Sequence, residues 1–203
     1  MPVKNACKIF KIKREMGDSE MKDLEEELVE SSRKFSGSVL SVRVDRIKLP
    51  DGESSIREIV DHPGGVTILP VNRQDEVIMI EQYRHAAEEV LLELPAGRLE
   101  ESEEAEKAAR RELKEETGYT AEDLKHFFDF YTTPGYSTEC LHLYLARGLK
   151  EGEQELEEGE FLSLREVPLE DIPEMIMAGS IKDSKTLIGL LTYLQQYSGQ
   201  ETD

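Results

Sequence analysis

"GRLEESEEAEKAARRELKEETGY", Gly97–Tyr119, reads as a turn followed by a helix. Ser102 is placed to cap the helix, acidic residues fill its first turn, and Ala and Leu dominate its interior. At about 100° per residue, Ala105, Ala108 and Ala109 share one face, with Leu113 at its edge. Glu112 and Glu116 fall in the middle of that same apolar face. Bare carboxylates are too costly to bury unless they are paired or metal-bound. Glu115 stands beside them, and Arg111 neutralises only part of the cluster. Three oxygen donors at this spacing suit a hard cation, Mg²⁺ or Mn²⁺.

On both sides of this helix the chain reads mainly as strands. "SVLSVRVDRIKL" and "SIREIVDH" flank the turn Pro50–Gly52 as a hairpin. "VTILPV", "EVIMIEQYR" and "EVLLELPAG" follow, and "HFFDFYTT", "CLHLYLARGL" and "FLSLREV" come after the helix. "LEDIPEMIMAG" and "DSKTLIGLLTYLQQY", the latter capped by Asp183, read as closing helices. This order predicts an α+β fold with a mixed β-sheet covered by helices. The acidic run "EMKDLEEELVESS" near the start reads as a helical turn or two, or as a flexible tail.

The chain has 203 residues, 38% of them apolar and 34% charged, which suits one domain with a small appendage. Its formal net charge of −19 argues against nucleic acid or an anionic membrane as a partner, because the field repels both. An anionic ligand would need a cation to mediate its binding. No run approaches a membrane span or a signal-peptide core, so a cytoplasmic protein is expected. Cys7 and Cys140 have neither metal-ligand nor redox spacing and are expected to be reduced thiols.

Gly97-x5-Glu103-x7-Arg111-Glu112-Leu113-x-Glu115-Glu116-x-Gly118 matches the Nudix box at every charged and glycine position. Tyr119 stands where that pattern is usually aliphatic. From about Phe35 to Tyr197 the chain resembles a Nudix hydrolase. The resemblance implies a Nudix α/β/α sandwich, divalent metals on the box, and hydrolysis of a nucleoside diphosphate linked to another group. Gly97, Glu103, Arg111 and Gly118 would then shape the box, and Glu112, Glu115 and Glu116 would hold metal.

Pro134, sixteen residues beyond Gly118, is similar to the proline that marks ADP-ribose pyrophosphatases. "REIVDHPGGV" (Arg57–Val66), "EQYRHA" (Glu81–Ala86), "ELPAG" (Glu93–Gly97) and "DSKT" (Asp183–Thr186) resemble the same subfamily. That resemblance implies a backbone-carbonyl metal ligand at Ala96. It places Arg57 and Arg84 on the substrate, and Thr133, Pro134, Gly135 and Glu139 near the sugar-phosphate; Glu58, and Arg98 where such relatives often carry an aliphatic residue, are also expected to bind substrate. Arginine grips phosphate bidentately, which gives Arg57 and Arg84 a physical reason to be there. On the acidic loop "EQELEEGEF", Glu158 is expected as general base and Glu160 as an added metal ligand, with Glu115 also catalytic. The expected activity is Mg²⁺-dependent cleavage of ADP-ribose to AMP and ribose 5-phosphate. The alternatives are cleavage of other nucleoside diphosphate sugars and a non-catalytic nucleotide sensor. The implied organisation is an extension over 1–34, a β-subdomain over 35–63 that pairs two chains into a homodimer, and a hydrolase domain over 64–203.

Overall fold

The structure, a computed structural model, describes residues 24–197. The basic start of the chain and most of the expected 1–34 extension lie outside that range. The described chain divides into two compact units. One runs to Gly64 and takes in Tyr131–Cys140; the other holds Gly65–Phe130 and the chain from Leu141 on.

The first unit is a three-stranded antiparallel sheet of β1 (Glu27–Ser36), β2 (Ser41–Lys48) and β3 (Ser54–Asp61), in that order. Between β2 and β3 the turn closes where Gly52 adopts φ +91° and its N–H donates to Leu49 O at 2.9 Å. Strand β1 corrects the reading of this stretch as helical turns or a tail. Nearly every side chain of β1 is exposed, so burial imposes no alternation of apolar and polar residues on it. Its backbone ladder with β2 is what makes it a strand. Residues 131–140 join β3 through a Val60–Ser137 bridge, with Val60 N donating to Tyr136 O at 2.7 Å.

The second unit holds β4 (Gly65–Pro70), β5 (Glu76–Arg84), β6 (Glu89–Glu93), β7 (Ala96–Arg98) and most of β8 (Thr120–Tyr131) and β9 (Cys140–Lys150). It also holds β10 (Leu162–Pro168) and helices α1 (Ala105–Thr117), α2 (Ile172–Met177) and α3 (Ser184–Tyr197). The strands order as β7-β4-β9-β8 and β10-β5-β6. β4 is parallel to β9 and antiparallel to β7, so the sheet is mixed, as expected. β4 is buried along its whole length because both of its faces are covered. Val66 and Ile68 pack with Ala108, Ala109 and Leu113 of α1. Leu69 and Val71 pack with Leu190 and Tyr193 of α3 on the opposite face. Each fully buried Val, Ile or Leu side chain among these contributes about 1.5–3 kcal/mol. The result is helix, sheet, helix: the expected α+β sandwich.

Two local readings are corrected. Helix α1 starts at Ala105, and Ser102 sits at φ +65° rather than at the cap. A turn closed by Glu103 N donating to Glu100 O at 3.1 Å occupies the place of the expected first helical residues. Cys140, expected as a reduced thiol, is disulfide-bonded, and Cys7 lies outside the described residues. Which cysteines meet is set by tertiary approach, which spacing along the chain does not encode.

Candidate active site

The site is built where β7 meets α1. Gly97 pairs with Val66 in the sheet, and the inner face of α1 lies directly over it. A Cβ at Gly97 would stand 1.8 Å from Glu112 Oε1, so only glycine leaves room for that carboxylate. One turn on, Glu116 is 2% exposed, and its Oε2 accepts the Ala96 N–H at 2.8 Å. At the end of α1, Gly118 takes φ +75° and donates to Lys114 O at 2.7 Å, stopping the helix just past the carboxylates.

Arg111 organises the acids around it. Its Nε and Nη2 donate to the two oxygens of Glu103 at 3.0 Å each. Its Nη1 reaches Glu112 Oε1 at 2.8 Å and Glu115 Oε2 at 2.9 Å, and Nη2 also reaches Arg98 O at 3.1 Å. Glu103, bound by Arg111, is held below the ordinary carboxylate range. Glu112 and Glu116 go the other way. Burial raises Glu112 against the pull of Arg111. Burial also pushes Glu116 up to about 8, opposed by the Ala96 N–H and helped by the charges of Glu112 and Glu160. Two inward carboxylates are thus left short of positive charge, and the donor set fits a hard divalent cation.

Glu160, on the loop before β10, stands close enough for its charge to act on both Glu112 and Glu116. Glu158 is exposed on the same loop. Gln154 ties the start of that loop to α1, donating to Glu116 O at 2.6 Å.

Arg84, at the end of β5, forms a two-pronged pair with Glu93, Nε to Oε1 at 2.7 Å and Nη2 to Oε2 at 2.8 Å. Sequence reasoning missed Glu93 as a site residue. It is 1% exposed, and Lys185 also bonds its Oε2. Burial alone would raise the Glu93 carboxyl, but the hydrogen bonds and charges of Arg84 and Lys185 outweigh it and hold the pKa low. An acid inside the apolar run "LLELP" was the available signal.

The remaining expected residues belong to the other unit. Arg57 on β3 pairs with Glu26 and donates to Ser55 Oγ at 3.1 Å, with Glu58 exposed beside it. Thr133 O accepts the N–H groups of Tyr136 at 3.2 Å and Ser137 at 3.0 Å, so Thr133–Pro134–Gly135 is an exposed turn. Glu139 accepts from Thr132 Oγ1 at 2.7 Å.

The family model described as the NUDIX domain matches residues 61–187. An ADP-ribose pyrophosphatase of Bacillus subtilis (strain 168) is 44% identical over 177 residues, covering 86% of this chain and 95% of that protein. A methanol dehydrogenase activator of Bacillus methanolicus is 42% identical over 173 residues, covering 84% of this chain and 93% of that protein. A crystal structure of an ADP compounds hydrolase superposes with a TM-score of 0.78 at 22% identity, covering 88% of this chain and 97% of that one, a likeness of fold. The matched region contains the whole glycine–glutamate–arginine pattern laid over β7 and α1, and the chain belongs to the NUDIX family.

Proposed function

We propose that this chain hydrolyses the pyrophosphate bond of ADP-ribose, yielding AMP and ribose 5-phosphate, with Mg²⁺ as its metal. The observation that carries the reading is the pair of inward carboxylates, Glu112 packed against a glycine that no other residue could replace and Glu116 buried on the Ala96 N–H. The relative named for ADP-ribose, matched across nearly its whole length, directs the reading to that substrate.

Ala96, Glu112, Glu115, Glu116 and Glu160 would hold the cation. Bound there, a divalent cation neutralises phosphate charge and acidifies a water. Arg111 fixes the rotamers of Glu112 and Glu115 while taking Glu103 as its own counter-ion. Arg84 presents a guanidinium whose orientation Glu93 sets, suited to a phosphate oxygen pair. Glu158 takes the proton of the attacking water, its exposed loop position giving it freedom to approach. A new P–O bond to water forms as the bridging P–O bond breaks. Arg57, Glu58, Arg98, Thr133, Pro134, Gly135 and Glu139 bind the remainder of the substrate in this reading. The chain acts as a homodimer, a proposal supported by the apolar side chains Leu28, Phe35 and Ile56 that the N-terminal sheet leaves exposed. Among the described residues no helix is long and apolar enough to cross a membrane.

A panel of ADP-ribose, GDP-mannose, other nucleoside diphosphate sugars and ATP, assayed with and without Mg²⁺, tests this reading. ADP-ribose should exceed ATP in kcat/KM by at least about tenfold, the scale of one good polar contact. Preference for another nucleoside diphosphate sugar would move the substrate and leave the chemistry. Binding without Mg²⁺-dependent product release would make the chain a sensor.

A further inference from the structure

We propose a second metal site on this chain, a zinc-type site formed by His126, Asp129 and His142 and sharing no ligand with the glutamate cluster. His126 and Asp129 lie on β8 and His142 on β9, adjacent hydrogen-bonded strands. His126 Nε2 and His142 Nδ1 approach the same oxygen, Asp129 Oδ1, at 2.6 and 2.7 Å. All three ligand atoms lie within 4.8 Å of one another.

The donor set decides the metal class. Two imidazole nitrogens and one carboxylate oxygen make a three-ligand zinc site with a fourth position open to water. Mg²⁺ and Ca²⁺ prefer oxygen alone and gain little from imidazole. Tetrahedral bonds of about 2.0–2.2 Å separate neighbouring ligand atoms by about 3.3 Å. An entering ion therefore opens the two short contacts by roughly 0.7 Å, a side-chain adjustment that leaves the strands in place. The frame is partly preorganised. The Asp129 side chain is 11% exposed, and the His126 ring packs edge-on to Tyr144 at 5.3 Å between centroids.

Position along the chain gives the site a purpose. Asp129 and His142 stand two residues outside the two ends of Tyr131–Cys140, the excursion that leaves this unit. An ion held by both would clamp the feet of that excursion, which carries the Thr133–Gly135 turn. The clamp is also a neighbour of the box. Val66 pairs with Gly97 on one side and His142 on the other, so two strand spacings, roughly 10 Å of backbone, separate the positions.

The test uses the full chain stripped with EDTA and returned to millimolar Mg²⁺, which occupies the glutamate cluster. Zn²⁺ titrated by calorimetry should then bind at one equivalent with a Kd of micromolar or tighter. Co²⁺ should give a visible d–d band typical of a low-coordinate site with nitrogen ligands. Asp129→Asn, His142→Gln and His126→Gln should each weaken Zn²⁺ at least about tenfold and bleach the Co²⁺ band. Glu112→Gln should retain both signals. Failure of the Mg²⁺-saturated wild type to take up Zn²⁺ overturns the site. Uptake that survives His142→Gln and Asp129→Asn unchanged overturns it equally, by assigning the ion to surface carboxylates. Should His142→Gln fail to fold, His126→Gln decides alone, because that side chain is 46% exposed and its loss gives up only the edge contact with Tyr144.

Discussion

Glu116 shows how one residue links burial, protonation and chemistry. Burial pushes its carboxyl up to about 8, well above the ordinary glutamate value of about 4.3. Between those values the folded chain holds a proton that the unfolded chain has lost, so stability falls as pH rises through this window. Glu116→Gln removes that dependence. In EDTA at pH 8 its Tm should lie above wild type, and the gap should close toward pH 5. With saturating Mg²⁺ the same variant, and Glu112→Gln, should lose at least about a hundredfold in turnover, the scale of one lost transition-state charge contact. Wild-type rates in either variant would remove the metal assignment. Gly97 gives a complementary expectation. With 1.8 Å between a new Cβ and Glu112 Oε1, Gly97→Ala forces the carboxylate or the strand to move. It should cost about 1–3 kcal/mol in urea denaturation and most of the activity. An active, fully stable Gly97→Ala protein would show that Glu112 is not confined there.

Among the elements, the ends of β5, β6 and α3 are stapled by charge. Glu93 on β6 joins Arg84 on β5 to Lys185 on α3, and Thr186 Oγ1 accepts Leu94 N at 2.8 Å beside them. A carboxylate with a lowered folded pKa stabilises above its unfolded value, about 4.3, and that contribution is lost as pH falls through the folded pKa. Glu93→Gln should therefore lower stability near neutral pH by about 3–5 kcal/mol, because it strands two cations. Its stability should also change less than wild type between roughly pH 5 and pH 3. Chemical denaturation across that range measures both; parallel acid limbs would show that Glu93 carries no such linkage. Most of these elements were legible as elements. "VTILPV" and "EVIMIEQYR" are short apolar runs between turn residues, and α3 carries its own cap, Asp183 Oδ2 accepting Thr186 N at 3.0 Å. β1 was not legible, because a strand exposed on both faces leaves no hydrophobic period to read.

For the whole molecule, the proposed homodimer predicts active sites built from both chains. Leu28, Phe35 and Ile56 are each more than half exposed on the sheet that carries Arg57. Mixing Arg57→Ala chains with Glu112→Gln chains tests site sharing. Sites shared across a homodimer leave one of two sites in each mixed dimer free of both lesions, so part of the activity returns. Confirmed subunit exchange with no recovery would mean that each chain builds its own site. The amino-acid sequence by itself determined the box, because its chemistry is local: Glu112 and Glu116 lie one helical turn apart, and helical periodicity alone turns both inward. It determined the strand-rich α+β character by the same short-range logic. Only the tertiary structure decided that Glu93 meets Lys185, 92 residues away, and that His126 and Asp129 meet His142 across two strands. Those encounters depend on sheet order and register, which arise from the packing of the whole core and leave no period in the chain.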